Sequence, residues 1–242
     1  MSDATEQSTD FSIEALKREL VDGYHMLGHA GLGLGLLAHL TARAPGVDTF
    51  WTYQLGKSVE EVSDDDLREV DFELSLQGPE GVVNPTLRIH GMVYAARPDI
   101  MCIAHHHGDN CVAMGAIGAN LQNFDRNAAR FHNDIDIIED YDNAHEIAEQ
   151  GDAIVNKLAG KRALILQYHG ALVGGRSVRD TVISTIELER SMGVQLKAMA
   201  AGTIQTMREG EIDNAKSFLT SDLFIDGTWD YRKRARGGPI SK

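Results

Sequence analysis

Residues 97–107 read Arg-Pro-Asp-Ile-Met-Cys-Ile-Ala-His-His-His, a short apolar run after a turn that ends on His105 and His107, two positions apart. Side chains alternate between the two faces of a β-strand, so His105 and His107 share one face and His106 takes the other. Two imidazoles at that spacing can converge on one cation at roughly 2.0–2.1 Å per bond. A third ligand is offered by residues 163–170, Ala-Leu-Ile-Leu-Gln-Tyr-His-Gly, a second apolar strand that delivers His169 at its carboxyl end. Three neutral imidazoles leave a cation its full charge and open positions for water, substrate or dioxygen. One divalent metal per subunit is expected, zinc, manganese or iron(II), and the ligand set alone does not choose among them.

The composition narrows what such a centre could serve. A chain of 242 residues with 43% hydrophobic side chains can bury a substantial core as one domain. A net charge of −13 argues against a nucleic-acid partner, which would need a basic surface. Its basic cluster, Arg232-Lys233-Arg234-Ala235-Arg236, reads as a solvated end or a subunit contact. No apolar run reaches the roughly 20 residues of a membrane span, and residues 1–10 are polar and acidic, so a soluble, cytoplasmic protein acting on a small molecule is expected. Cys102 and Cys111 are too few for a disulfide framework and read as small buried residues.

Helices and strands alternate along the chain. Ile13, Leu16, Leu20, Tyr24 and Leu27 recur at helical spacing after Asp10 and Ser12, either of which can cap a helix. The glycines of residues 28–35 follow this helix, whereas a dinucleotide loop follows a strand, and Ala38 stands where its third glycine belongs. Residues 36–43 and 49–53 read as a hairpin pair, residues 64–73 as an acidic stretch with a short strand, and residues 86–96 as a helix stopped by Pro98. The histidine-bearing strand follows at once. Further on come an amphipathic helix over 143–158, a buried strand over 162–168 and a long helix over 178–200. Asp109 is expected to cap the helix that starts near Cys111, and the acidic residues 134–142 to form a solvated edge. Strands set between helices imply helices packed on the faces of a central sheet.

The order and spacing of His90-x-x-x-Tyr94-x-x-Arg97-Pro98-Asp99, His105-x-His107, Leu166-x-x-His169-Gly170-x-x-x-Gly174 and Ile186-Glu187-x-Glu189 resemble the class II aldolase/adducin family from about residue 12 to residue 202. The resemblance implies a three-layer α/β/α domain with a largely antiparallel central sheet. It also implies a metal bound by His105, His107 and His169 at a subunit interface, and a homotetramer. The domain is expected over residues 11–225, with a disordered N-terminus over 1–10 and a C-terminal tail over 226–242.

Departures from the family pattern shape the expected chemistry. Thr86 stands where sugar-phosphate aldolases of the family carry a glutamate that serves as metal ligand or catalytic base, and threonine cannot serve as a base near neutral pH. Ala38-His39-Leu40-Thr41-Ala42-Arg43 replaces the phosphate-binding Gly-Asn-x-Ser-x-Arg, and Asn84-Pro85 replaces the expected serines, so an unphosphorylated substrate is implied. Asn84, Thr86 and His39 are candidate substrate contacts. His90 is a candidate ligand or catalytic group, and His132, where relatives place an aromatic residue reaching a neighbouring subunit's site, is a candidate replacement acid or base. Trp51, Tyr53, Trp229 and Tyr231 could line an aromatic pocket or simply pack.

Three readings follow. The first is a metal-dependent lyase that cleaves or decarboxylates a small hydroxy- or oxo-acid through a metal-stabilised enolate. The second is a mononuclear non-haem iron(II) oxygenase acting on an aromatic hydroxy-acid, because the matching branch of the family also touches oxygenases that cleave prenylated aromatic hydroxy-acids. The third is an adducin-like scaffold without catalysis, which is disfavoured because adducin-type domains lack these metal histidines.

Overall fold

The computed structural model describes residues 12–33, 35–139, 141 and 146–235. The expected disordered residues 1–10 and the last part of the expected tail, 236–242, lie outside them. A first helix, α1 (Ile13–His29), is capped by the Ser12 side chain, which accepts from the backbone N–H of Ala15 at 3.3 Å. Its buried stripe of Leu20, Tyr24 and Leu27 is the one that the helical spacing marked.

Seven strands form one sheet in the order β3-β2-β1-β4-β7-β6-β5. They are β1 (His39–Ala42), β2 (Thr49–Tyr53), β3 (Leu67–Asp71), β4 (Cys102–His106), β5 (Ile135–Ile138), β6 (Ala163–Leu166) and β7 (Gly170–Gly175). Every neighbouring pair is antiparallel except β5 and β6. Strand β1 turns into β2 through Gly46, whose φ of +74° is a conformation that a side chain disfavours. The sheet is thus the largely antiparallel one expected, with β4 near its centre between β1 and β7.

Strand alternation sorts the core into two layers. Ile103, Leu164, Leu166 and Leu172 pack with Val93, Tyr94, Ile154 and Leu158, which come from α2 (Arg88–Ala96) and α5 (Ile147–Leu158). Each such fully buried aliphatic side chain stabilises the fold by about 1.5–3 kcal/mol relative to exposure. Leu40, Ala42, Cys102 and Ala104 pack on the opposite side with α1 and with Val178, Val182 and Ile186 of α6 (Val178–Ala201). A further cluster there joins Ile165, Ala171 and Val173 to Cys111 and Met114 of α3 (Asp109–Ala116) and to Leu188 and Met192 of α6. Helix α2 stops at Ala96 because Arg97, the residue before Pro98, is held at φ −129°, ψ 81°.

Several elements differ from the sequence reading. Strand β7 was not anticipated, since Gly170, Gly174 and Gly175 weaken its strand signal and its buried faces remove the alternation. The run expected as a solvated edge contains β5, an edge strand whose Asp136 pairs with Lys157 and Lys161. Residues 226–235, expected as tail, are the body of α8 (Asp222–Ala235), held by buried Ile225 and Trp229. Two further helices, α4 (Arg126–Ala129) and α7 (Glu209–Leu219), pack on each other. Among the described residues no helix is long and apolar enough to cross a membrane.

Candidate metal centre

His105 sits near the end of β4 and His107 one residue beyond it, while His169 closes the turn between β6 and β7. That turn spans residues 167–169 and places Tyr168 in the left-handed region at φ +62°. The conformation is costly for a residue with a Cβ, and it swings His169 towards β4. Gly170 completes the approach, because a Cβ there would collide with the carbonyl oxygen of His106 and reach within 3.4 Å of the His107 ring.

The three imidazoles converge. Their ring centroids lie 4.8 Å (His105–His107), 5.2 Å (His105–His169) and 4.5 Å (His107–His169) apart, and one nitrogen from each falls within 4.8 Å of the others. His105 donates its Nδ1–H to the Ala171 carbonyl at 3.0 Å, which leaves Nε2 as a lone pair. That nitrogen lies 2.9 Å from Nε2 of His107, so a proton or a cation must stand between them. Burial, followed by the neighbouring His39, His107 and His169, holds the His105 pKa well below the ordinary imidazole value and keeps the ring neutral, the state a metal ligand needs. Geometry, tautomer and protonation state all fit a divalent cation on the triad, and no carboxylate of the described residues joins it.

Around the triad the structure places the other predicted residues unequally. His39 opens β1 directly opposite His105 in the register, with ring centroids 5.0 Å apart. The Asn84 Oδ1 accepts from the Thr86 backbone N–H at 3.0 Å and from the Thr86 hydroxyl at 2.8 Å. With its proton so committed, Thr86 Oγ1 accepts from His39 Nε2 at 3.3 Å, and His39 Nδ1 is left buried without a partner. Burial, then the nearby His107 and His169, lowers the His39 pKa to about 3. Thr86 is therefore a link that orients His39. His90 lies on α2 behind His39, at a ring separation of 5.4 Å, with its Nδ1 2.9 Å from the Thr41 hydroxyl, which in turn meets the Tyr94 hydroxyl at 2.7 Å.

His132 is not brought to the triad within one chain. Its two ring nitrogens meet the side-chain amides of Asn123 at 2.7 Å and Asn133 at 3.0 Å, and Lys216 Nζ donates to its carbonyl oxygen. Of the four aromatic residues, Tyr53 and Trp229 belong to the core cluster beside α1 and α6 with Trp51 packed against it, Tyr53 bonding the Ala38 carbonyl and Trp229 lying beneath Arg179, whereas Tyr231 is exposed. Sequence reasoning missed Tyr141, buried with its ring 5.1 Å from that of His169, because it lies in a stretch read as solvated. A cleft of about 390 Å³ lined by Ser12, Leu16, Glu19, Arg43, Met101 and Arg176 lies at the far end of β4 and shares no residue with the triad.

The comparisons with known proteins agree with this architecture. The Class II Aldolase and Adducin N-terminal domain matches residues 18–196. The 4-hydroxy-3-prenylphenylpyruvate oxygenase/4-hydroxy-3-prenylbenzoate synthase of Streptomyces roseochromogenus subsp. oscitans is 28% identical over 69% of this chain and 62% of its own length. Decarboxylase NovR of Streptomyces niveus is 27% identical over 69% of this chain and 63% of its own. The match thus spans less than two thirds of either relative. The structure of L-fuculose 1-phosphate aldolase from Glaciozyma antarctica PI12 superimposes with a TM-score of 0.83 at 26% identity, covering 92% of this chain and 88% of that one. A sheet of this topology, a histidine triad at the end of its central strands and a domain match over most of the sequence lead to one assignment: the chain belongs to the class II aldolase/adducin family.

Proposed function

We propose that the protein is a metal-dependent lyase that cleaves or decarboxylates a small, unphosphorylated hydroxy- or oxo-acid. The observation that carries this reading is the convergence of three imidazoles on one point, with His39 against His105 where sugar-phosphate aldolases of the family have a phosphate-facing asparagine. A divalent cation held by His105, His107 and His169 would supply Lewis acidity towards a chelating pair of substrate oxygens. The chain's own groups then divide the remaining work. Ala171 fixes the His105 tautomer, Asn84 and Thr86 fix that of His39, and the unpartnered His39 Nδ1 is an acceptor suited to a substrate hydroxyl. His90, tied to Thr41 and Tyr94, backs His39 from a fully buried position. In this reading the protein works as a homotetramer with sites at subunit interfaces, and the acid–base role of His132 is exercised on a neighbouring copy.

A second reading, an iron(II) oxygenase acting on an aromatic hydroxy-acid, is supported by the activity that the Streptomyces roseochromogenus relative is named for, with a third histidine taking the place of the facial-triad carboxylate. One experiment separates the two. Protein purified without chelator is analysed for zinc, manganese and iron, then incubated with hydroxy- and oxo-acids under nitrogen and under air. Cleavage that proceeds equally well under nitrogen supports the lyase. Product formation only under air, with near-stoichiometric iron, replaces it with the oxygenase. Absence of bound metal removes both.

A further inference from the structure

The opposite face of β4 carries a second group of metal-capable side chains, His106, Cys111 and Glu189, with one ligand atom from each within 4.8 Å of the others. His106 Nδ1, the Cys111 thiol and the Glu189 carboxylate are each engaged with the backbone of residues 108–111, while His106 Nε2 is buried without a partner. Glu189, on α6, accepts through Oε1 from the Asn110 backbone N–H at 2.8 Å and from the Asn110 side-chain amide at 2.8 Å. Its Oε2 accepts from the Cys111 backbone N–H at 3.0 Å. His106 Nδ1 accepts from the Gly108 N–H at 3.2 Å, and the Cys111 thiol donates to the Gly108 carbonyl at 3.1 Å. Gly108 itself must lack a side chain, because a Cβ there would lie 2.5 Å from the Glu189 carboxyl carbon.

These bonds close on the segment that carries His107. Its neighbours His106 and Gly108 are bonded to each other, and the helix that begins at Asp109 has its first free N–H groups satisfied by a carboxylate from a different helix. The structure assigns Glu189 the role of a positioning residue: through the amino terminus of α3 it holds the 107–111 segment, and with it the His107 imidazole, at the triad. The inference rests on the proposal that the triad binds a metal. It excludes a second metal at His106, Cys111 and Glu189, whose ligand atoms serve as a backbone clamp.

The test uses cobalt(II) as the probe, with affinity measured by competition against a chromophoric chelator well below the melting temperature, alongside the visible spectrum of the bound ion and melting of the metal-free protein. Wild type is expected to bind one equivalent. Glu189→Ala is expected to bind it about 10–100-fold more weakly and with a changed visible spectrum, as follows when a ligand loses its support. Glu189→Gln, which retains one accepting oxygen, is expected to fall between. Gly108→Ala, at a backbone conformation open to alanine, displaces the carboxylate without deleting it and is expected to weaken binding in the same direction; it serves if Glu189→Ala does not fold. Wild-type affinity and spectrum in the folded variants, whatever their melting temperatures, would overturn the positioning role. A second equivalent of cobalt in wild type that is lost in Cys111→Ser would overturn the clamp. Failure of wild type to bind cobalt at all would instead remove the underlying metal-site reading.

Discussion

Strand β4 and the residue that follows it present three consecutive histidines to two environments. On the α2 and α5 side, the Nε2 atoms of His105 and His107 face each other, the ring of His169 closes on them, and one bond to Ala171 serves to aim a lone pair inward. On the α3 and α6 side, His106 meets a backbone N–H, and its neighbours Cys111 and Glu189 are likewise spent on the main chain. Residue type therefore does not separate a metal centre from a structural knot. What separates them is where the lone pairs go: towards a common point, or into the orphan donors of a helix terminus.

The sharpest way to break this contrast is to delete one histidine from each side. His105→Ala or His169→Ala is expected to abolish stoichiometric metal binding, whereas His106→Ala keeps one equivalent. The His106 change instead costs about 2–4 kcal/mol of folding stability from a buried cavity and a lost acceptor, measurable by urea denaturation. Full metal occupancy in either triad variant would erase the distinction.

A second test applies acid to both sides at once. Burial lowers the His39 and His106 pKa values from 6.5 to about 3, so the unfolded chain takes up protons that the folded chain refuses. Their contribution to stability is complete above pH 6.5 and is lost as the pH falls from there towards 3, by about 1.4 kcal/mol per pH unit for each histidine. Metal-free protein should accordingly melt at a lower temperature at pH 5 than at pH 7.5. Equal melting temperatures would mean that these rings are solvated.

The smallest effect sharpens the description of the triad side, where the turn is strained. Tyr168 is 57% exposed and left-handed, so Tyr168→Asn should raise thermal stability by about 1 kcal/mol while leaving metal stoichiometry unchanged. A loss of stability would show that the tyrosine ring makes a contact worth more than the strain.

The triad was legible in the sequence because strand alternation is a strict rule: His105 and His107 had to share a face, and Cys102 and His106 had to take the other. Leu16, Leu20 and Tyr24 marked α1 for the same kind of reason, a period that only a helix satisfies. The clamp on α3 was not legible. Asp109 reads as a helix cap by local rules, yet it lies exposed at the first helical position, and the orphan N–H groups are taken by Glu189, 79 residues from Asn110. Strand β7 escaped for a related reason, since its glycines are explained only by the close approach of His106 in β4, of Ile100 just before it, and of α6. Local periodicity speaks for elements, and long-range closure is what finishes a site.

The register of β4 sets when that closure can occur. His105 is tied to Ala171, 66 residues further along the chain, and His39 pairs with His105 only after an intervening helix and two strands have been made. Contacts across such separations are slow to form, because the entropy of closing a long loop is spent before any packing rewards it. Under the proposed function the metal would therefore arrive late in folding, since an emerging chain that has not yet produced His169 carries His105 and His107 but not the full ligand set.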